Sequence, residues 1–262
     1  MDFRLRCSQT AVQPGRLAIF WLGQAGFLIK TPGGKQIAID PYFSDCVARL
    51  NPAEGLGFKR LSPPLMRAEE AEFDALVISH EHPDHFDVDA IGCFLDNGHT
   101  EIYTNCTVVS QLRGMGADLS RVHELHKGEA VQLPECSLLP VDCDHGELAP
   151  EALGLLFDFG FTRVYYAGDT SLTLDRLQTP LARKPEIAIL PINGAYGNLD
   201  SQEAAHYAGL LEAKVCIPCH FWTFALHGGD PQKLIDCIGD EAPGCKLAML
   251  CQGECYLAGD ER

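Results

Sequence analysis

Positive charge is what this chain has least of. Lys and Arg number 20 against 36 Asp and Glu, a formal net charge of −16 at pH 7, and no basic run exceeds two residues. Clustered cations are what neutralise phosphates, so no nucleic-acid partner is expected; the partner expected is a small-molecule substrate. Long apolar runs are missing too: no window reaches the roughly 18 uninterrupted apolar residues of a transmembrane helix, so no membrane partner is expected. The opening residues show no basic stretch followed by an apolar core and a small-residue cleavage site, so no secretory signal is visible and a cytoplasmic location is expected. Linkers, low-complexity tracts and short-period repeats are absent as well. With 262 residues, 46% apolar and 21% charged, the chain is expected to form one α/β domain over residues 1–262.

Cysteine is not scarce, at twelve, but the context that would pair it is lacking. The cysteines lie in apolar, strand-like runs such as Lys214-Val215-Cys216-Ile217-Pro218-Cys219, where a free thiol behaves as a small buried hydrophobe. Cys216 and Cys219 form a CxxC, yet no second pair follows at zinc-ribbon spacing, so reduced thiols are expected.

What is present is a succession of short β-rich runs. Residues 17–22, 26–30 and 36–40, separated by glycines and by Pro32-Gly33-Gly34, read as antiparallel hairpins. Residues 41–72 read as a long irregular loop of the kind that borders sites. Strands are expected at 75–79, 101–104, around 122 and 131, and at 138–141, 153–159, 163–166, 186–192 and 215–219. Helices are expected at 88–96, 106–114, 171–177, 201–211 and 231–237, with a closing hairpin near Leu247 and Tyr256. Two halves that each run from strands into helices fit two packed sheets with helices outside.

The strand at residues 75–79 ends in Ser79-His80-Glu81-His82-Pro83-Asp84-His85-Phe86-Asp87, three histidines and three carboxylates in nine residues. Alternate side chains of an extended segment share a face, so His80 and His82 point the same way, about 6 to 7 Å apart along the chain. Two imidazoles on one face chelate a metal. Pro83 then forces a turn that aims Asp84 and His85 at a neighbouring position. A polar loop merely rich in histidine is the bland alternative, and this density at a strand end argues against it. Further donors stand where apolar strands spill into loops: His145, Asp169 and His220. Alone, each reads as a capping or surface residue, and Asp169 in Ala-Gly-Asp-Thr-Ser suits an N-cap for a helix near Ser171. Beside the histidine run they read as one shared site.

His-Glu-His-Pro-Asp-His, the later His145, the Tyr-Ala-Gly-Asp-Thr that contains Asp169 and the Ile-Pro-Cys-His that ends at His220 resemble, in type and order, the metallo-β-lactamase fold superfamily. The opening Trp21-Leu22-Gly23-Gln24-Ala25-Gly26-Phe27, with Ile39-Asp40-Pro41 and Gly194-Ala195-Tyr196-Gly197, is similar to the branch that contains L-ascorbate-6-phosphate lactonase. The resemblance implies a four-layer αβ/βα sandwich of two mixed β-sheets with helices on the outer faces. It further implies that His80, His82 and His145 hold one metal, Asp84, His85 and His220 a second, and Asp169 bridges them. His126 and Asp142 are the nearest substitutes for His145. Branch relatives also imply a homo-oligomer, for which no surface pattern here defines an interface.

Five imidazoles and two carboxylates suit two divalent ions of zinc or manganese, with iron as an alternative, and disfavour calcium and magnesium. Two ions about 3.5 to 4 Å apart share a water and lower its pKa from about 15.7 toward 7, giving a bridging hydroxide. Asp84 is the expected catalytic proton acceptor. Asp40 reads equally as acceptor for a ligand imidazole N–H or as a turn residue before Pro41. Asn193, Tyr196, Trp222 and His227 follow strands whose ends approach the metals and are candidates for substrate contact; packing is an equal reading for Tyr196 and Trp222. The leading functional expectation is a metal-dependent hydrolase that opens a cyclic ester, by resemblance a phosphorylated sugar lactone. A small-molecule phosphodiesterase on the same dinuclear site is the alternative, and a redox di-iron or metal-sensing protein the non-hydrolytic one. The net negative charge allows an anionic substrate, because two divalent ions reverse the local potential.

Overall fold

The computed structural model describes residues 2–259. In the first strand, β1 (Leu17–Gly23), Leu17, Ile19 and Trp21 enter one core while Ala18, Phe20 and Leu22 enter another, because successive side chains of a strand leave opposite faces. Both faces are therefore covered. β2 (Gly26–Lys30) and β3 (Gln36–Ile39) continue antiparallel, and β4 (Ala75–Ile78), β5 (Glu101–Thr104) and β6 (Val122–Glu124) join in parallel.

A second sheet repeats the plan. β7 (Val131–Leu133), β8 (Cys136–Asp142), β9 (Leu153–Asp158) and β10 (Arg163–Tyr166) pair antiparallel in turn, then β11 (Ile187–Pro191), β12 (Val215–Cys219) and β13 (Lys246–Leu247) add in parallel. β14 (Cys255–Ala258) crosses back to β1, so each sheet has seven strands, with three antiparallel ladders followed by three parallel ones. The two mixed sheets are flanked by helices. α1 (Phe3–Gln9), α3 (Ile91–Asp96) and α4 (Cys106–Gly114) cover the outside of the first sheet through Phe3, Cys7, Ile91, Phe94, Val108 and Leu112, and α2 (Cys46–Leu50) lies in the long loop after β3. On the second sheet α6 (Ser201–Leu210) packs against β11 and against α7 (Pro231–Glu241). A reciprocal cap starts α6: the Asp200 side chain accepts from the Glu203 backbone N–H and the Glu203 side chain from that of Asp200.

Three local expectations are corrected. Residues 171–177 are irregular apart from a turn at 174–176, and α5 (Gln178–Arg183) begins later, because the Ser171 amide donates to the Asp144 carbonyl and the Asp144 carboxylate accepts from Ser171 Oγ. Asp169 therefore caps no helix. Leu247 and Tyr256 form no hairpin: β13 closes the second sheet and β14 the first. The helix expected from residue 88 starts at Ile91. All twelve cysteines are free, with Cys216 and Cys219 buried and their thiols pushed upward, first of all by that burial. Among the described residues no helix is long and apolar enough to cross a membrane.

Candidate metal centre

The ends of β3, β4, β10 and β12 release Asp40, His80, Asp169 and His220 at one edge of the sandwich, the usual ligand position for parallel strands. Two backbone hydrogen bonds stitch the sheets there, from Leu153 N to Ser79 O at 3.2 Å and from His220 N to Gln24 O at 2.9 Å. After His82 the chain turns tightly, since the amides of His85 and Phe86 both donate to the His82 carbonyl, at 2.9 and 2.7 Å. Asp87 leaves the cluster and accepts instead from the amides of Phe43 and Ser44, both at 2.8 Å, which pins the long loop beside the site.

Two groups of donors result. In the first, His82 Nδ1 lies 3.0 Å from His80 Nε2 and 3.2 Å from His145 Nε2, and His145 Nε2 lies 3.7 Å from Asp169 Oδ2. In the second, Asp169 Oδ1 lies 3.2 Å from both His85 Nε2 and His220 Nε2, while Asp84 Oδ2 is 3.2 Å from His220 Nε2 and 3.7 Å from His85 Nε2. Asp169 is the member the groups share. Its Oδ1 is buried and close to two imidazoles yet aligned for a hydrogen bond with neither. Atoms that converge on a point between them, rather than on one another, are what a cation requires: the donor atoms of His80, His82, His145 and Asp169, those of His85, Asp169 and His220, and those of Asp84, His220 and His227 each lie within 4.8 Å of one another. The residues present fit divalent metal ions.

Charge in the metal-free site is strongly partitioned. Burial opposes a charged His85, but the carboxylates of Asp169, Asp84 and Asp40 outweigh it and hold the ring well above its ordinary value. His220 rises to about 9 by the same balance, with Asp169 the leading carboxylate. Asp84 and Asp169 are held well below the usual range although burial opposes it, because His85 and His220 face them. His80 and His145 go the other way, lowered by burial.

Asp40 takes the part of imidazole acceptor. Its Oδ2 lies 2.7 Å from His85 Nδ1 and accepts from Tyr166 Oη at 2.7 Å, and its Oδ1 accepts from the Ser79 amide at 2.7 Å. His85 Nε2 is thereby left to face the site. His145 lies in the first group, whereas His126 is exposed and Asp142 pairs with Lys127.

Gln24 is the residue that sequence reasoning missed. It lies in the Trp21–Phe27 stretch, but one polar residue in a hairpin carries no signal of its own. Buried, with its backbone in the left-handed region at φ 51°, it places Nε2 2.9 Å from Asp84 Oδ2 and 2.9 Å from His227 Nδ1. A low-pKa carboxylate only accepts, so Asp84 fixes the amide as donor. The second amide hydrogen is shared between His227 Nδ1 at 2.9 Å and His220 Nε2 at 3.2 Å, and a bond to His227 Nδ1 makes that atom an acceptor with the ring proton on Nε2. His227 stays neutral, lowered to about 4 by burial and by His220. Five of the eight non-glycine residues with positive φ among those described, Gln24, Asp40, Tyr196, His220 and Trp222, sit at or beside this edge. Such strain concentrates at functional sites.

The site opens into a cavity of about 170 Å3 walled by Val47, Asn51, Phe58, Leu148, Tyr196 and His227 above the two donor groups. Asn193 and Trp222 do not line it. Asn193 faces another surface recess beside Ser201 and Lys233, its Nδ2 donating to the Ala195 carbonyl. Trp222 is 60% exposed, because its amide bonds to the carbonyls of His227 and Gly228 fold the loop so that His227 lines the cavity instead.

A family model described as a beta-lactamase superfamily domain matches residues 18–220, which take in both donor groups. This chain belongs to the metallo-β-lactamase superfamily. Superfamily relatives match along nearly its whole length. A metal-dependent hydrolase of Hyperthermus butylicus is 28% identical over 240 residues, covering 90% of this chain and 97% of the relative. Another from Myxococcus xanthus is 30% identical over 234 residues, 86% of this chain and 77% of its own. Among solved structures, a metallo hydrolase from Ignicoccus hospitalis superposes with a TM-score of 0.72 at 23% identity, covering 93% of this chain and 98% of that one.

Proposed function

We propose that this superfamily member, a metal-dependent hydrolase, opens a small ester, with a cyclic ester as a substrate compact enough for the cavity of about 170 Å3. The observation that carries the reading is the pair of donor groups joined at Asp169 and opening onto one cavity. His80, His82 and His145 with Asp169 would hold one divalent ion, zinc or manganese by donor type, and Asp84, His85 and His220 with Asp169 a second. When bound, such ions acidify water toward neutrality and polarise a carbonyl or phosphoryl oxygen.

The chain's own residues do the rest. Asp40 keeps the His85 proton on Nδ1 and so frees Nε2 for the site. Asp84, ionised and within reach of Gln24, takes the proton that the attacking water must lose. His227, neutral and carrying its proton on Nε2, donates toward the substrate from the cavity wall. A small phosphodiester is the second reading, favoured by the shared carboxylate, since two joined donor groups serve attack at phosphorus equally well.

Initial rates of the Zn- and Mn-loaded protein on a lactone and on an activated phosphodiester separate these readings. Lactone opening that disappears on metal removal supports the proposal, diester cleavage alone moves the chemistry to phosphorus, and inertness toward both sinks it. Asp84→Asn is expected to lower the rate at least about a hundredfold while part of the metal stays bound. A metal-loaded Asp84→Asn protein with full activity would remove Asp84 from its role.

A further inference from the structure

The cavity wall carries information the donor groups do not. Above the donors it is built from Val47, Asn51, Phe58, Leu148, Tyr196 and His227, and among the described residues no Lys or Arg lines it. Cations next to these residues in the chain are engaged elsewhere. Lys59 pairs with Asp45 at 2.6 Å and Arg49 with Asp89 at 2.5 Å. Arg60, beside Phe58, donates to the carbonyls of Tyr42 at 2.8 Å and Ser62 at 3.2 Å and lies over the Tyr42 ring. Arg176 pairs at 3.3 Å with Asp144, the neighbour of His145. The polar side chains of the upper wall are those of Asn51, Tyr196 and His227, none of them a Lys or Arg.

Aromatic faces converge there. Phe58 lies 6.2 Å from Tyr196 and 5.5 Å from His227, and Tyr196 lies 5.2 Å from His227, centroid to centroid. Leu148, 55% exposed, stands at the rim. Burial of a charged substituent against the upper wall is unfavourable unless a partner meets it, and among the described residues that wall offers no Lys or Arg, so any positive charge lies with the donor groups at the floor. The volume of about 170 Å3 is close to the roughly 150 Å3 of an apolar cavity that holds benzene. One ring or a short branched chain fills it.

We propose that the cavity selects a compact, uncharged substrate with an apolar or aromatic body lodged between Phe58, Tyr196 and Leu148, and discriminates against phosphorylated or carboxylated ones. This rests on the ester-hydrolase reading and narrows it: the phosphate of a phosphorylated sugar lactone would find no basic side chain in the wall. His227, 2.9 Å from Gln24 Nε2, is a polar side chain of that wall within reach of such a substrate.

The test compares two esters that differ by one charge, phenyl acetate and 4-sulfophenyl acetate, the sulfonate being a weak metal ligand. Metal-loaded protein is expected to prefer the uncharged ester at least tenfold in kcat/KM. Leu148→Lys, a rim substitution, is expected to cut that preference at least tenfold, and Phe58→Ala to raise KM for phenyl acetate about tenfold. Equal use of both esters, or an unchanged ratio in Leu148→Lys, overturns the proposal. If neither ester turns over, the ester reading fails, and the wall is judged by saturation-transfer NMR of the metal-loaded protein with benzamide and 4-sulfobenzamide. Binding of benzamide alone supports the selection; binding of both, of the sulfonated amide alone, or of neither overturns it.

Discussion

At the scale of single residues, the donors depend on the side chains packed behind them. Asp40 gathers His85, Ser79 and Tyr166 on one buried carboxylate, and Gln24 links Asp84 to His227. Asp40→Asn places an amide where an acceptor is needed, so metal affinity is expected to fall about 10- to 100-fold, read by competition with a chromophoric chelator. An unchanged affinity would return Asp40 to a turn role. Gln24→Leu keeps the backbone anchors, since Thr223 Oγ1 meets the Gln24 amide and Trp21 Nε1 donates to its carbonyl. It is expected to lower kcat/KM about 10- to 100-fold with metal content unchanged by elemental analysis. Half of this was legible beforehand. Histidines two apart at a strand end announce themselves, whereas Gln24 meets Asp84 and His227 only when their loops fold onto it.

At the scale of elements, the strands and most helices follow from periodicity, and the failures have tertiary causes. Residues 171–177 lost their helix to hydrogen bonds with Asp144, and β13 and β14 went to different sheets because each edge offered a ladder that a local hairpin would have left open. α3 shows how an element supports the site from outside. Its Phe94 stacks on Phe73 at 5.4 Å, and Phe43, 6.4 Å from both, carries the amide held by Asp87 just beyond the histidine run. Phe94, 2% exposed, leaves a cavity on truncation. Phe94→Ala is expected to cost about 3 to 5 kcal/mol in denaturant melts, with the folded fraction retaining metal affinity. A loss under 1 kcal/mol, the scale of a volume-conserving swap, would contradict this packing role.

At the scale of the whole molecule, closing the two sheets brings opposite charges into one buried place. His85 and His220 are raised in the folded metal-free protein, His220 to about 9, whereas in the unfolded chain a histidine titrates near about 6.5. A raised folded value stabilises fully below the unfolded pKa, and that contribution is lost as pH rises through the folded one. The lowered Asp84 and Asp169 contribute above their unfolded value of about 3.9 and lose it as pH falls. Metal-free protein is therefore expected to melt at a lower temperature at pH 9 than at pH 6.5. Metal binding requires neutral imidazoles, so the metal-loaded protein should reverse that trend, and calorimetry in two buffers of different ionisation heat should register proton release on loading. A metal-free melting temperature that rises from pH 6.5 to 9 would contradict the charge partition.

The sequence by itself determined the strand succession, the paired-sheet architecture and the cluster after β4, because those depend on alternation, turn residues and spacing within a few positions. His145, Asp169 and His220 were legible as polar residues at strand ends, and their grouping through their likeness to the superfamily's pattern. Only the tertiary structure decided that Gln24 and His227 lie beside the donor groups, that Asn193 and Trp222 do not line the cavity, and that among the described residues no Lys or Arg does. The physical reason is distance along the chain: Gln24 and His227 are 203 positions apart, and no local preference reports a contact made when two sheets close on each other.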